Sequence, residues 1–145
     1  MKSVSSCIEL DTGRGISLHD LMADIREAVA GSGIRNGFVT VTSQHTTTAI
    51  TINEHETRLL EDVKAFLARL IPPGDRYLHN DIQLRDCPPD EPENAHSHLA
   101  SMLLGSSEVI SLVNGDLVLG QYQSVMLVEL DGPRLRKVSV QVYGE

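Results

Sequence analysis

Apolar and polar positions along the chain follow two rhythms, one of period two and one of helical spacing. Ser3 to Leu10 reads as a first strand, with Val4 and the Cys7–Ile8 region apolar, and Asp11 to Gly15 reads as a turn. Ser17 is placed to cap a helix, with Asp20 at its third position, where the helix dipole favours an acid. Leu18, Leu21, Met22, Ile25 and Val29 then fall at helical spacing, and Gly31-Ser32-Gly33 ends that helix. Val39 and Val41 alternate with Phe38, Thr40 and Thr42, and Ile50 and Ile52 alternate with Thr51 and Asn53, so two strands follow.

Asn53 is placed to cap a second helix, with Glu56 three residues on, close to a capping box. Leu59, Leu60, Val63, Phe66, Leu67 and Leu70 make one apolar stripe, and Pro72-Pro73-Gly74 stops it. Arg76 to Glu93 has no convincing period, and a connection of that length in a compact domain points to function or disorder. Asn94 is placed to cap a short third helix, with Leu99, Met102 and Leu103 on one face and Gly105 at its end. The remainder is β: Val109 to Val113, an Asn114-Gly115 hairpin turn, Leu117 to Leu119, and a final pair, Ser124 to Leu130 and Val138 to Tyr143, around Asp131-Gly132-Pro133. The order β-α-β-β-α-α-β-β-β-β predicts an α+β fold with antiparallel sheets in one domain spanning residues 1–145.

Composition narrows the function classes. A chain of 145 residues with 41% hydrophobic content can bury a sizeable core. A net charge of -8 and a pI near 5.1 argue against nonspecific binding to nucleic acid or to an acidic membrane surface. No apolar run approaches the roughly 18 residues of a membrane span. MKSVSSCIELDTGRG lacks the apolar core of a secretory signal. Cys7 and Cys87 match no metal motif, so a reduced, cytoplasmic protein with both thiols unbridged is expected.

Six histidines in an acidic chain are the candidate chemistry. His19, on the exposed side of the first helix, and His55, in the first turn of the second, are expected to be inert. His45, His79, His96 and His98 lie at strand ends, loops or helix starts, where sites are usually built. His96 and His98 are two apart on a helix, so at most one faces a common site, and His98 borders the core side. Three neutral imidazoles from separate elements would suit a catalytic Zn²⁺, yet the same three would equally bind phosphate or shuttle protons. No HxxxH or CxxC spacing decides between these. The hydroxyls of Thr46 and Thr47 beside His45 suit an anion, although threonines also simply favour strands. Glu54 is either a general base or an acid helped by the helix dipole. Glu129 lies mid-strand, where an acid needs exposure or a partner. Gly120 and Gln123 sit between strands, as a turn glycine and a solvated amide or as groups brought close to a ligand.

Four segments in order, HTTTAITINE (His45 to Glu54), NAHSHL (Asn94 to Leu99), LGQYQ (Leu119 to Gln123) and VELDGPR (Val128 to Arg134), together resemble the YjbQ family, also called secondary thiamine-phosphate synthases. The resemblance covers nearly the whole chain. It implies a small α+β domain with a β-sandwich-like core of antiparallel or mixed sheets, two main helices and one short helix, assembling as a homotrimer. It also implies a weak thiamine-phosphate synthase activity. Carried across, the family's site positions are His45, Glu54, His79, His98, Gly120 and Gln123. The family's GTWQ motif reads Gly120-Gln121-Tyr122-Gln123 here, so Tyr122 offers a smaller platform than the tryptophan. Thr57 stands where many relatives look acidic.

The leading expectation is therefore an enzyme that joins an aminopyrimidine methyl diphosphate to a thiazole phosphate and releases diphosphate. His45, Glu54, His79 and His98 are the catalytic candidates. Thr46, Thr47, Asn53, Asn94, Gly120 and Gln123 are the substrate-binding candidates, with the helix starts at Asn53 and Asn94 adding backbone N–H groups. His45, His79 and His98 are also the candidate Zn²⁺ ligands. The alternatives are a Zn-dependent hydrolase on the same three histidines with Glu54 as base, or a non-enzymatic trimer that binds a small anion or metal.

Overall fold

A computed structural model describes all of residues 1–145. Its elements in chain order are β1 (Lys2–Asp11), β2 (Gly15–Asp20), α1 (Met22–Ser32), β3 (Gly37–Ser43), β4 (Thr48–Asn53), α2 (Thr57–Leu70), α3 (Ala95–Leu104), β5 (Ser107–Val113), β6 (Asp116–Leu117), β7 (Ser124–Gly132) and β8 (Leu135–Gly144). Two single 3-10 turns, Leu78–Asn80 and Ile82–Leu84, lie between α2 and α3. The strands form a five-stranded sheet of order β1-β8-β3-β5-β6 and a three-stranded sheet of order β2-β7-β4, and every pairing is antiparallel.

The main core lies between the two sheets and α1. Val39 and Val41, Ile110 and Leu112, and Val138, Val140 and Val142 project inward from the five-stranded sheet to meet Ile25 and Val29 of α1 and Ile50, Val125 and Leu127 of the other sheet. A second cluster packs on the far face of the three-stranded sheet, where Leu67 of α2 and Ala100 of α3 cover Ala49, Val128 and Leu130. The three-stranded sheet is thus covered on both faces. That explains why Val125 to Leu130 of its central strand are buried without alternation, as a strand in a two-sided environment requires. The result is an α+β fold with a sandwich of two antiparallel sheets.

Four local readings are corrected. Gly15–Asp20 is a strand, paired with β7, and the helix starts only at Met22. Ile16 and Leu18 alternate with Ser17 and His19 and pack toward the second cluster, so the period of two outweighed the apparent cap at Ser17. Asp20 Oδ1 instead accepts from Met22 N–H at 2.9 Å. Asn53 ends β4, and α2 is capped by Glu56, whose carboxylate accepts from Arg58 N–H at 3.0 Å and Leu59 N–H at 2.6 Å.

Helix α3 turns the opposite face to the core. Leu99, Met102 and Leu103 are exposed, and Ala95, Ser97, Ala100 and Ser101 are buried. Small side chains let the helix lie close to the sheet. Ser97 Oγ donates to Leu130 O and Ser101 Oγ to Thr48 O, both at 2.6 Å, which the larger apolar residues would prevent. Finally, β7 and β8 do not pair with each other; the connection around Gly132 carries the chain from one sheet to the other. The Asn114-Gly115 turn does join β5 to β6, with both residues at positive φ, 55° and 91°.

Candidate functional site

His45 lies in the loop from β3 to β4. The loop is shaped by Ser43, whose Oγ is hydrogen-bonded to Thr48 Oγ1 and accepts from His45 N–H at 3.3 Å. From there the ring reaches β8, where its Nε2 accepts from the backbone N–H of Lys137 at 2.8 Å. An acceptor Nε2 places the proton of the neutral ring on Nδ1. Burial lowers the His45 pKa below its ordinary value, and the positive charges of Arg136 and Lys137 lower it further, against Glu129.

His98 projects from the first turns of α3. Burial lowers its pKa too, helped by His79 and Arg85 and opposed by Asp131 and the Thr46 backbone. The His79 ring, on the first 3-10 turn, meets the His98 ring edge to face with centroids 4.7 Å apart. Arg85 donates to the His79 carbonyl at 2.9 Å and so fixes that turn.

His45, His98, Gln44 and Thr46 line two adjoining cavities. One, of about 580 Å³, continues along Ser101 and Met102 of α3. The other, of about 380 Å³, is polar throughout and takes in Thr47, Asn94, Asp131, Arg134 and Arg136. Asn94 stands at the start of α3 but does not cap it with its side chain. Its Nδ2 donates to Asp131 Oδ2 at 2.7 Å, while its Oδ1 is buried without a partner. Behind this wall Arg136 and Glu129 form a buried ion pair, Nε to Oε2 2.7 Å, so the mid-strand acid is paired. Thr47 Oγ1 accepts from Arg136 Nη2 at 2.8 Å, and Thr12 Oγ1 donates to Glu129 Oε1 at 3.0 Å.

Thus the structure brings His45, His98, Thr46, Thr47 and Asn94 to one cavity system, with His79 against His98. Glu54, Asn53, Gly120 and Gln123 lie at the other end of β4, roughly 17 Å away at about 3.3 Å per residue. There Asn53 faces Ser124 across the sheet, and Asn53 Oδ1 accepts from Glu54 N–H at 2.8 Å. Gly120 N–H donates to Gln123 Oε1 at 2.7 Å, closing a local turn. Glu54 borders an apolar groove of about 210 Å³ between α2 and the sheet, with Leu59, Val63 and Phe66. His96 lines a separate apolar pocket with Leu67 and Ile71. His19 is on β2 rather than a helix, its Nε2 2.8 Å from Ser17 Oγ.

As to metal binding, His79 and His98 supply two neighbouring imidazoles. No group of three or more His, Cys, Asp or Glu side chains gathers at metal-binding distance, and His45 Nε2 is already engaged. The residues of one chain therefore do not fit a three-ligand Zn²⁺ site.

Arg136 lies outside every motif read from the sequence, and Arg134 enters there only as the last residue of VELDGPR. One signal was available: Arg136 falls in the same strand phase as the buried Val138, Val140 and Val142, so an arginine occupies an inward position.

The sequence pattern of the family described as "UPF0047 protein YjbQ-like" matches residues 6–145. A UPF0047 protein of Methanothermobacter thermautotrophicus is 41% identical over 138 residues, 95% of this chain and 90% of that protein. The UPF0047 protein YugU of Bacillus subtilis is 26% identical over 140 residues, 94% of this chain and 97% of that protein. Among solved structures, a YbjQ-like protein of unknown function from Sulfolobus solfataricus superposes with a TM-score of 0.89 at 36% identity, covering 99% of both chains. A hypothetical protein from Aeropyrum pernix superposes with a TM-score of 0.86 at 36% identity over 100% of both. On the strength of both its sequence and its two-sheet fold, the chain belongs to the YjbQ-like UPF0047 family.

Proposed function

We propose that the chain is a transferase that acts on a small phosphorylated substrate in the cavities around His45 and His98. The observation that carries this reading is the presence, on one polar cavity, of two uncharged imidazoles and two arginines from separate elements. An imidazole with a lowered pKa is neutral at pH 7 and keeps one ring N–H to donate to an oxygen of the departing group. Arginine donors stabilise the charge that develops on a departing phosphate or diphosphate. The substrates are named by the family resemblance: an aminopyrimidine methyl diphosphate and a thiazole phosphate, joined with release of diphosphate. In that reaction a C–O bond to diphosphate breaks, a C–N bond to the thiazole forms, and the electron pair leaves with the diphosphate.

His98 is the imidazole at the cavity free to handle a proton, His45 offers its Nδ1–H as a hydrogen-bond donor, and His79 orients His98. Glu54, Gly120 and Gln123 lie outside this cavity in one chain. The homotrimer that the resemblance implies, and a cytoplasmic location, belong to the same proposal. A single chain does not present a donor set that fits a metal.

The test is direct. Purified protein is incubated with the two substrates, and thiamine phosphate and diphosphate are quantified against His45→Ala and His98→Ala. Equal product from both variants and wild type would refute the role given to these histidines. No product from wild type above the uncatalysed background would refute the reaction.

A further inference from the structure

We propose that Arg136 is the anchoring donor of a phosphoryl-binding seat in the cavity beside His45, with Glu129 as the residue that positions it. The inference deepens the reading above, in that it assigns the residue that recognises the phosphorylated end of the ligand.

The Arg136 guanidinium is held rigidly from within the chain. Arg136 is only 4% exposed, and two of its three nitrogens are already bonded within the chain. Nε is taken by Glu129 Oε2 at 2.7 Å and Nη2 by Thr47 Oγ1 at 2.8 Å. Nη1 has no partner in the chain, and Arg136 lines the polar cavity. Burying a guanidinium is expensive unless each donor is used. A strand interior that simply needed a filler would hold another valine, as the rest of β8 does. The position therefore uses a buried ion pair to present one fixed, charged NH₂ group to a cavity. Its orientation is set by Glu129, which Thr12 in turn holds at 3.0 Å.

Further donors stand around the same cavity. His45 carries its proton on Nδ1 because Nε2 is engaged, and Arg134 and Thr46 are on the lining. Donors distributed around a pocket suit the tetrahedral oxygens of a phosphoryl group better than the two coplanar oxygens of a carboxylate. Asp131 lies on the same wall, but its Oδ2 is bound by Asn94 at 2.7 Å and by Arg134 at 3.0 Å, so it acts as the counter-charge of Arg134. Glu91 also lines the cavity. The two arginines are thus matched by carboxylates. The seat works through directed donors rather than an excess of positive charge, which fits a chain of net charge -8.

The test measures binding of inorganic pyrophosphate, inorganic phosphate and acetate by calorimetry at constant ionic strength. Because Arg136→Gln alone leaves Glu129 buried without its partner, the working variant is the double replacement Glu129→Gln with Arg136→Gln. It keeps a neutral hydrogen bond in place of the ion pair, and its fold is checked by its far-ultraviolet dichroism. The expected result is that wild type binds pyrophosphate, binds acetate at least tenfold more weakly, and loses at least tenfold in pyrophosphate affinity in the folded double variant. Equal pyrophosphate binding by the double variant would overturn the seat, as would tighter binding of acetate or no binding of either phosphate compound by wild type. Pyrophosphate binding without thiamine phosphate formation would leave the seat standing while refuting the proposed reaction. Turnover in the double variant with unchanged KM would refute the seat while leaving the reaction.

Discussion

Glu129 and Arg136 meet as a fully buried ion pair, Oε2 and Nε 2.7 Å apart, on either side of the turn that carries the chain from the three-stranded to the five-stranded sheet. The two residues are only seven apart in sequence but stand in different sheets, so the pair ties the sandwich together at the cavity wall.

Removing one partner strands the other charge in the interior. Arg136→Met should destabilise the fold by about 3–5 kcal/mol, whereas replacing both residues with apolar ones of similar size should recover most of that loss. Urea unfolding of Arg136→Met and of the double variant would measure it. A single variant within about 0.5 kcal/mol of wild type would contradict the pair's burial.

The close approach of α3 to the sheet makes a second prediction. Ala100 is buried against Ala49, Val128 and Leu130, where α3 lies on the sheet. Ala100→Leu should therefore cost about 1–3 kcal/mol by overpacking. Ser97→Ala, which abandons the Leu130 carbonyl, should cost about 1 kcal/mol. Met102→Ala, on the exposed face, should change the stability of the isolated chain little. Thermal unfolding of the three variants ranks them, and an order with Met102→Ala worst would show that the helix face is assigned the wrong way round.

Histidine protonation sets a pH dependence. His19, His45 and His98 all have pKa values lowered from 6.5, with burial the largest cause in each. The unfolded chain thus takes up protons at a higher pH than the folded one. The histidine contribution to stability is full above about 6.5 and is lost as pH falls from there toward the lowered folded values. The urea midpoint should drop between pH 7 and pH 5, and the drop should be shallower in His98→Asn. A steeper drop in that variant would go against the assignment.

The histidines should also separate by function. His98→Ala should abolish turnover, and His96→Ala should be mild, because His96 faces a different, apolar pocket. Initial rates with both substrates would settle the comparison; comparable losses in both variants would contradict it.

For the assembly, sedimentation of the untagged protein is expected to give a trimer. A monomer at micromolar concentration would remove the trimer from the proposal. Thiol titration of denatured, unreduced protein should find both Cys7 and Cys87 free, and finding neither would contradict a reducing compartment.

Much of the architecture was legible in local patterns. The alternation through Val39 and Val41, the apolar stripe of α2 and the Asn114-Gly115 turn each lie within a few residues and obey one period. The errors share a cause. Ile16 to Asp20 satisfies both a strand pattern and a helix start, and only pairing with β7 decides. The apolar face of α3, Leu99, Met102 and Leu103, is the exposed one because closeness to the sheet selects alanine and serine at the contact. At the site, His45, His98 and their threonines carried local signals. The role of Arg136 depends on Glu129, Thr47 and Thr12 meeting across 124 residues of chain, from Thr12 to Arg136, and no local pattern encodes that meeting.

The pairing of β1 with β8 matches Lys2 with Gly144 and Asp11 with Leu135, so the first strand waits for the last. The same late strand supplies Arg136 to the cavity and the Lys137 N–H that fixes the His45 ring. Folding must therefore close nearly the longest loop the chain allows, which makes it slow for a domain of this size. During synthesis, a ribosome-bound chain that ended before Leu135 would hold His45 and His98 but neither the guanidinium nor the anchor of the imidazole. The proposed site is complete only once β8 has been made and has docked beside β1.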